Sequence, residues 1–243
     1  MNKIITIKTS DYKYPTYEEK KFANENYPEL RNFGFEDVTP RELFFKETLK
    51  AYYKKSHLFE WDNCLLNRLG KLSETFDFLF SNYSRGISDI SNSTTNQEFA
   101  NSFLFDYYTE VFYYFFFSTR DTVLQILNVF YDLDLKENEV FWDKVFNELR
   151  DNKVHEYLKK FQESIKSTSE YRNSFTHRFP PNHPDYRPKL AKSVETTTLS
   201  LGLGNHFKPE EFIVNIKESL NNLSILLNEL RNEINSISYS DTD

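Results

Sequence analysis

Seven aliphatic residues near the end of the chain, Ile216, Leu220, Leu223, Leu227, Leu230, Ile234 and Ile237, step by four and three without a miss. That spacing follows the pitch of an α-helix and puts all seven on one face, which has to be buried against something. Pro209, Glu210 and Glu211 open the segment with residues suited to a first helical turn. The proline has no amide to leave unpaired there, and the acids meet the positive end of the helix dipole. Such a stripe serves either as a seam inside a helical bundle or as a seam between two copies; short seams are common in bundles.

Further upstream the same periodicity recurs. Leu65, Leu69, Leu72, Phe76, Leu79 and Tyr83 form a second stripe. From about Glu98 to Tyr131 the chain is apolar on nearly all sides, the pattern of a central helix covered by neighbours. Val140–Leu149 and Val154–Ile165 are amphipathic, with a polar break at Asp151 and Asn152. Thr39, Pro40 and Glu42 have the chemistry of a helix start with a capping box. Ser84–Gln97 is small and polar and reads as a loop. In the first 38 residues, Pro15 and Pro28 interrupt any helix, and Ile4–Lys8 alternates enough for a short strand. Val194–Leu201, flanked by Gly202 and Gly204, reads as a strand able to pair with Ile4–Lys8. The prediction is a mainly all-α fold, a bundle of about five helices with a minor β element. Residues 1–39 form an extension, 40–237 the bundle and 238–243 a polar tail.

Composition excludes several classes. Aromatics make up 17% of the 243 residues, enough to build a sizeable core, so whole-chain disorder is excluded. Cys64 is the sole cysteine, which excludes a disulfide scaffold and suits a reducing compartment. A formal charge of −7 excludes a protein that coats nucleic acid with a basic surface. The N-terminus lacks the apolar run of a secretory signal, and Val111–Thr119 is far too short to span a bilayer, so a soluble cytoplasmic protein without membrane contact is expected.

One segment reverses the charge. Between Tyr171 and Lys192 stand Arg172, Arg178, Arg187, Lys189 and Lys192 against Asp185 alone. A local positive pocket is what phosphate binding requires. Asn173 and His177 are four apart and share a helix face, whereas Arg172 lies about 140° round from His177 on an ideal helix. The two converge only across a cleft or between two copies. Pro180 and Pro181 end the helix just beyond, leaving these groups at a solvent-accessible end. Arg178, Arg187 and Lys189 are second-tier phosphate-positioning candidates, and His183 and Tyr186 belong to the same loop. Asp121, at the end of the apolar helix, is a candidate support for the Arg172 guanidinium, with an ordinary structural ion pair as the plainer reading. A second match to the Arg-to-His spacing, Arg150 to His155, has Asp where Asn173 stands in the first; solvated helix residues are expected there.

The string YRNSFTHRFPP, residues 171–181, resembles the signature of the HEPN superfamily (higher eukaryotes and prokaryotes nucleotide-binding), an Arg, four to six residues, then a His, with Asn commonly following the Arg. It is most similar to a bacterial subgroup, the Cthe_2314-like HEPN family. The resemblance implies a metal-independent endoribonuclease, or a non-catalytic relative that binds RNA, a nucleotide or a protein. It also implies a homodimer with facing motifs, and a toxin or phage-defence role in which an antitoxin partner is conceivable. In such an enzyme Arg172 would stabilise charge on the phosphate, His177 would move protons near neutral pH, and Asn173 would orient His177 or hold a phosphate oxygen. Neither a metal nor any other cofactor is implied, and the sequence has no HExxH or clustered-carboxylate motif.

Overall fold

The computed structural model describes residues 8–37, 48–87, 95–150, 152–192, 197–204 and 206–240. Two long helices dominate it, α2 (Leu49–Ser84) and α3 (Asn96–Phe130), packed against each other along their length. They are preceded by the short α1 (Tyr17–Glu25) and followed by α4 (Trp142–Glu148), α5 (Lys153–Ser164), α6 (Lys166–His177) and α7 (Pro209–Ser240). Between α6 and α7 a hairpin pairs β1 (Lys189–Lys192) with β2 (Thr197–Ser200), antiparallel, in the register Leu190 to Leu199. The fold is mainly α with a minor β element.

Each start has a local cause. Thr48 accepts from the Ala51 amide at the head of α2, and Thr95 forms a reciprocal capping box with Glu98 at the head of α3. Asn152, in the predicted polar break, is the N-cap of α5 and accepts from the Val154 amide. The stripes go where the periodicity places them. Leu65, Leu69, Leu72, Phe76 and Leu79 are buried, and so are Ile216, Leu220, Leu223, Leu227, Leu230 and Ile234. The α7 stripe is therefore a bundle seam within one chain, with Ile237 only half-buried at its end.

Four details differ from the sequence reading. A helix does form in the extension: Pro15 and Pro28 bracket α1 without entering it, and Thr16 with Glu19 gives it a full capping box. The described chain has seven helices where about five were expected, because α1 is added and the 140–177 region divides into three. Strand β2 pairs with residues 189–192, a local partner closed by a short loop, while Ile4–Lys8 lies almost wholly outside the described residues. Residues 1–7 and the Thr39–Glu42 capping signal lie outside the described residues. Finally, α3 is not covered all round, since Phe103, Tyr107 and Tyr114 are exposed.

The extension is bound to the bundle by three charged groups, Asp62, Arg231 and Arg85. The buried Asp62 carboxylate of α2 accepts from the backbone amides of Phe33, Gly34 and Phe35 at 2.7–3.1 Å and from Asn32 Nδ2 at 2.9 Å. Arg231 of α7 donates to the Arg31 and Asn32 carbonyls from the other side. At the far end of α2, Arg85 makes a two-point contact with the Glu19 carboxylate, 2.7 Å in each arm, and donates to the Lys13 and Tyr14 carbonyls. That pairing holds the Glu19 carboxyl down at about 2. Asp62→Ala strands three amides that have no other acceptor in this strap, so it should cost about 3 kcal/mol in a urea titration. It should also open the backbone at Arg31 to trypsin; an unchanged midpoint and cleavage pattern would mean the strap is held by its apolar contacts alone.

Candidate functional site

Helix α6 carries the Arg172–His177 motif, and its position is set at both ends. It follows α5 after the single residue Ile165, fully buried, whose carbonyl accepts from the Ser169 amide. A buried polar network then fixes its first turn. Asn215 of α7 accepts from the Tyr113 hydroxyl at 2.9 Å and donates to Ser167 at 3.0 Å and Thr168 at 3.3 Å. Thr168 in turn bonds Ser219, 2.7 Å away. Burial raises the Tyr113 phenol well above its ordinary value, so it stays a neutral donor. Further along, Tyr171 and Phe175 pack their rings on Tyr113 and Phe212. The helix stops at His177, with Arg178 extended ahead of Phe179 and Pro180.

The motif residues do not converge within one chain. Arg172 is half-buried and lies over the Phe117 ring, 5.8 Å from its centroid. It faces an open groove of about 720 Å³ between α3 and α6, whose walls include Tyr107, Tyr114, Asp121 and Thr176. Asn173 turns to Arg172, its Oδ1 accepting from Nη1 at 3.2 Å. His177 is exposed at the helix end and is not among the side chains lining the groove. Its imidazole makes no hydrogen bond among the described residues. Asp121 lines the groove with Arg172 but is bonded to its neighbour Arg120 at 2.7 Å, and at 56% exposure it is not a buried support. The structural ion pair is thus what forms.

The second-tier cations lie on the other side of α6. Arg178 and Ser174 face a cavity of about 480 Å³ with His183 and Phe207. Arg187 stacks on Phe179 at 4.1 Å and is paired with Asp185 at 2.9 Å, while Lys189 stands 4.0 Å from the same carboxylate. Asp185 thus engages two of the five cations of the segment with a single negative charge, and Arg172 and Arg178 have no carboxylate partner among the described residues. The loop itself is pressed against the segment that follows β2: a side chain at Gly202 would collide with the Asp185 carbonyl. The competing pair also differs from expectation in one respect. Arg150 is exposed, but His155 is stacked on Phe146 with ring centroids 4.0 Å apart and is largely buried.

Residues 61–240 match the family model for Cthe_2314-like HEPN, which covers most of the chain and includes the whole of α6. The chain belongs to the HEPN superfamily. No curated protein and no solved structure gives a significant match.

This HEPN domain has a second polar cluster that the motif did not signal. Asp106 and Glu110 lie one turn apart on α3, facing Asn182 and His183 of the loop after α6, with His206 nearby. Burial pushes the Asp106 carboxyl up to about 6, against the opposing effects of the Asn182 amide and the two histidines. The Glu110 carboxyl is raised by burial as well, and His183 opposes that shift. Two acids four residues apart inside an otherwise apolar helix were the available sequence signal. Among the described residues no trio of His, Cys, Asp and Glu is gathered for a metal ion, and no helix is long and apolar enough to cross a membrane.

Because the folded state holds the Asp106 proton more tightly than the unfolded chain does, this group favours folding when protonated. That contribution is complete below its unfolded value near 3.8 and is lost as pH rises through about 6. Asp106→Asn should therefore flatten the decline in stability between pH 4 and pH 7.5 measured by denaturant titration. A mutant curve parallel to wild type across that interval would count against the assignment.

Proposed function

We propose that this HEPN domain is a metal-independent endoribonuclease whose active site is completed by a second copy of the chain. The observation that supports it most directly is the placement of Arg172 in an open groove walled by the exposed rings of Tyr107 and Tyr114. A fixed guanidinium suits a phosphate, and exposed rings suit stacked bases. Phe103, Tyr107 and Tyr114 continue along one side of α3 as an apolar face that a second copy would cover, bringing its own His177 towards the groove. In the reaction, the RNA 2′-oxygen attacks the adjacent phosphorus as its proton passes to a base. The bond from phosphorus to the 5′-oxygen breaks, and that oxygen takes up a proton. The products are a 2′,3′-cyclic phosphate and a 5′-hydroxyl. His177 is the proton carrier in this scheme, Arg172 neutralises the charge growing on the phosphate, and Asn173 steers the guanidinium. A toxin or phage-defence role, with an antitoxin as partner, would fit such an activity.

A second reading, a non-catalytic module that binds RNA, a nucleotide or a protein, is favoured by one feature. The Asn173 oxygen is engaged by Arg172, and His177 has no orienting partner among the described residues. The two readings separate on cleavage of mixed RNA in EDTA. His177→Ala and Arg172→Ala should each lower the rate by about 10²–10⁴-fold. Mixing the two inactive variants should restore roughly a quarter of wild-type activity, since about half the dimers are mixed and each has one intact composite site. Binding that depends on Arg172 without any cleavage would support the second reading, and equal background cleavage by wild type and His177→Ala would end the first.

A further inference from the structure

The bundle fixes the base of the β1–β2 hairpin and leaves its strands bare. At the base the Gly204 amide donates to the Asp185 carbonyl at 3.1 Å, and only a glycine fits at 202 against the backbone of residues 185–187. Beyond it, residues 189–191 and Thr197–Ser200 are all exposed, so neither face of the two-stranded sheet is covered among the described residues. The faces are not alike. Leu190 and Leu199 stand opposite each other, 66% and 64% exposed, and the alternation of a strand carries Leu201, 75% exposed, to the same side. Lys189, Ala191, Thr198 and Ser200 make the other side. Such alternation belongs to a sheet that shields one face, and a lone two-stranded hairpin is marginal in water.

The two edges differ as well. The β1 edge carries Pro188, Lys189 and Lys192, and proline and lysine are the residues by which sheets keep other strands away. Residues 197–203, Thr-Thr-Leu-Ser-Leu-Gly-Leu, hold no charge and no proline in a chain of which 28% is charged. An antiparallel pair related by a two-fold axis sets a strand against itself, so a charge near the axis faces its own copy. Paired β1 strands would bring lysines together; paired β2 strands bring together only neutral side chains. We propose that β2 pairs edge to edge with β2 of a second copy of the chain, making one four-stranded sheet with β1 of each protomer on the outside. A two-fold axis normal to that sheet keeps the odd-numbered residues of both copies on one face. Leu199 and Leu201 of one protomer then lie beside those of its partner and shield one another across the seam. The assembly closes at two chains because its outer edges are the guarded ones. The pairing deepens the reading in which a second copy completes the Arg172 groove, and it rests on that reading for its role there; as a contact between chains it stands on the hairpin alone.

The test uses the full chain. Light scattering after size exclusion should give the mass of two chains. Leu199→Lys and Leu199→Glu should each raise the dimer dissociation constant by at least about tenfold, because like charges then meet across the seam. Mixing these two variants in equal amounts should restore the dimer, which chains that had merely misfolded could not do. Lys189→Glu, on the guarded edge, should leave the dimer unchanged. A monomeric wild type would overturn the pairing, as would a dimer that both Leu199 variants preserve, a mixture that stays monomeric, or equal weakening by Lys189→Glu. If the dimer survives the Leu199 variants and the inactive His177→Ala and Arg172→Ala chains still complement each other, the seam is wrong and the composite site stands. If the dimer depends on Leu199 and mixing those two inactive chains restores no cleavage, the seam stands and the composite site falls.

Discussion

One amide side chain decides where the motif helix sits. Asn215 joins α3, α6 and α7 through the buried hydroxyls of Tyr113 and Thr168 and, at the surface, the hydroxyl of Ser167. Apolar contacts alone would let α6 slide or rotate on its neighbours at small cost, because packing by volume is tolerant. A fully satisfied buried network has one register, since any shift leaves polar groups unpaired in a low-dielectric interior. The rings of Tyr171 and Phe175 then hold the second half of the helix, so the rotation of α6 fixes which side chains face α3 and which face the loop. Arg172 goes one way and Arg178 the other.

Periodicity made much of this fold legible. The stripes on α2 and α7 depend only on the helical repeat and on the need to bury apolar surface, so residues such as Leu72 and Leu223 could be placed in the core without a structure. The pairing of β2 with β1 was not legible, because strand partners are chosen by loop closure as much as by pattern. The motif was legible as residue types at a spacing, and its position at a helix end followed from Pro180 and Pro181. What Asp121 binds was not, because a carboxylate at the surface takes the nearest guanidinium, and Arg120 is adjacent in sequence. The Asn182 and Asp106 pair was invisible for a related reason: the two stand far apart along the chain, and each alone is an ordinary polar residue.

The bulk charge and the local charge act at different ranges. At physiological salt, fields from exposed charges decay over roughly 8 Å, so an acidic surface elsewhere weakly affects a cation held inside a groove. Within the segment itself Asp185 gathers Arg187 and Lys189, while Arg172 and Arg178, on opposite sides of one helix, have no carboxylate partner among the described residues.

The strap on Asp62 has a practical consequence for anyone who handles this protein. The family match begins at residue 61, and the amides that satisfy Asp62 belong to residues before it. A chain trimmed to the matched boundaries would keep the carboxylate but lose its donors, and would bare the apolar seat of Phe33. Such a fragment would tend to self-associate through that newly opened surface. Its dimers would look like support for a composite active site while reporting only on the missing strap.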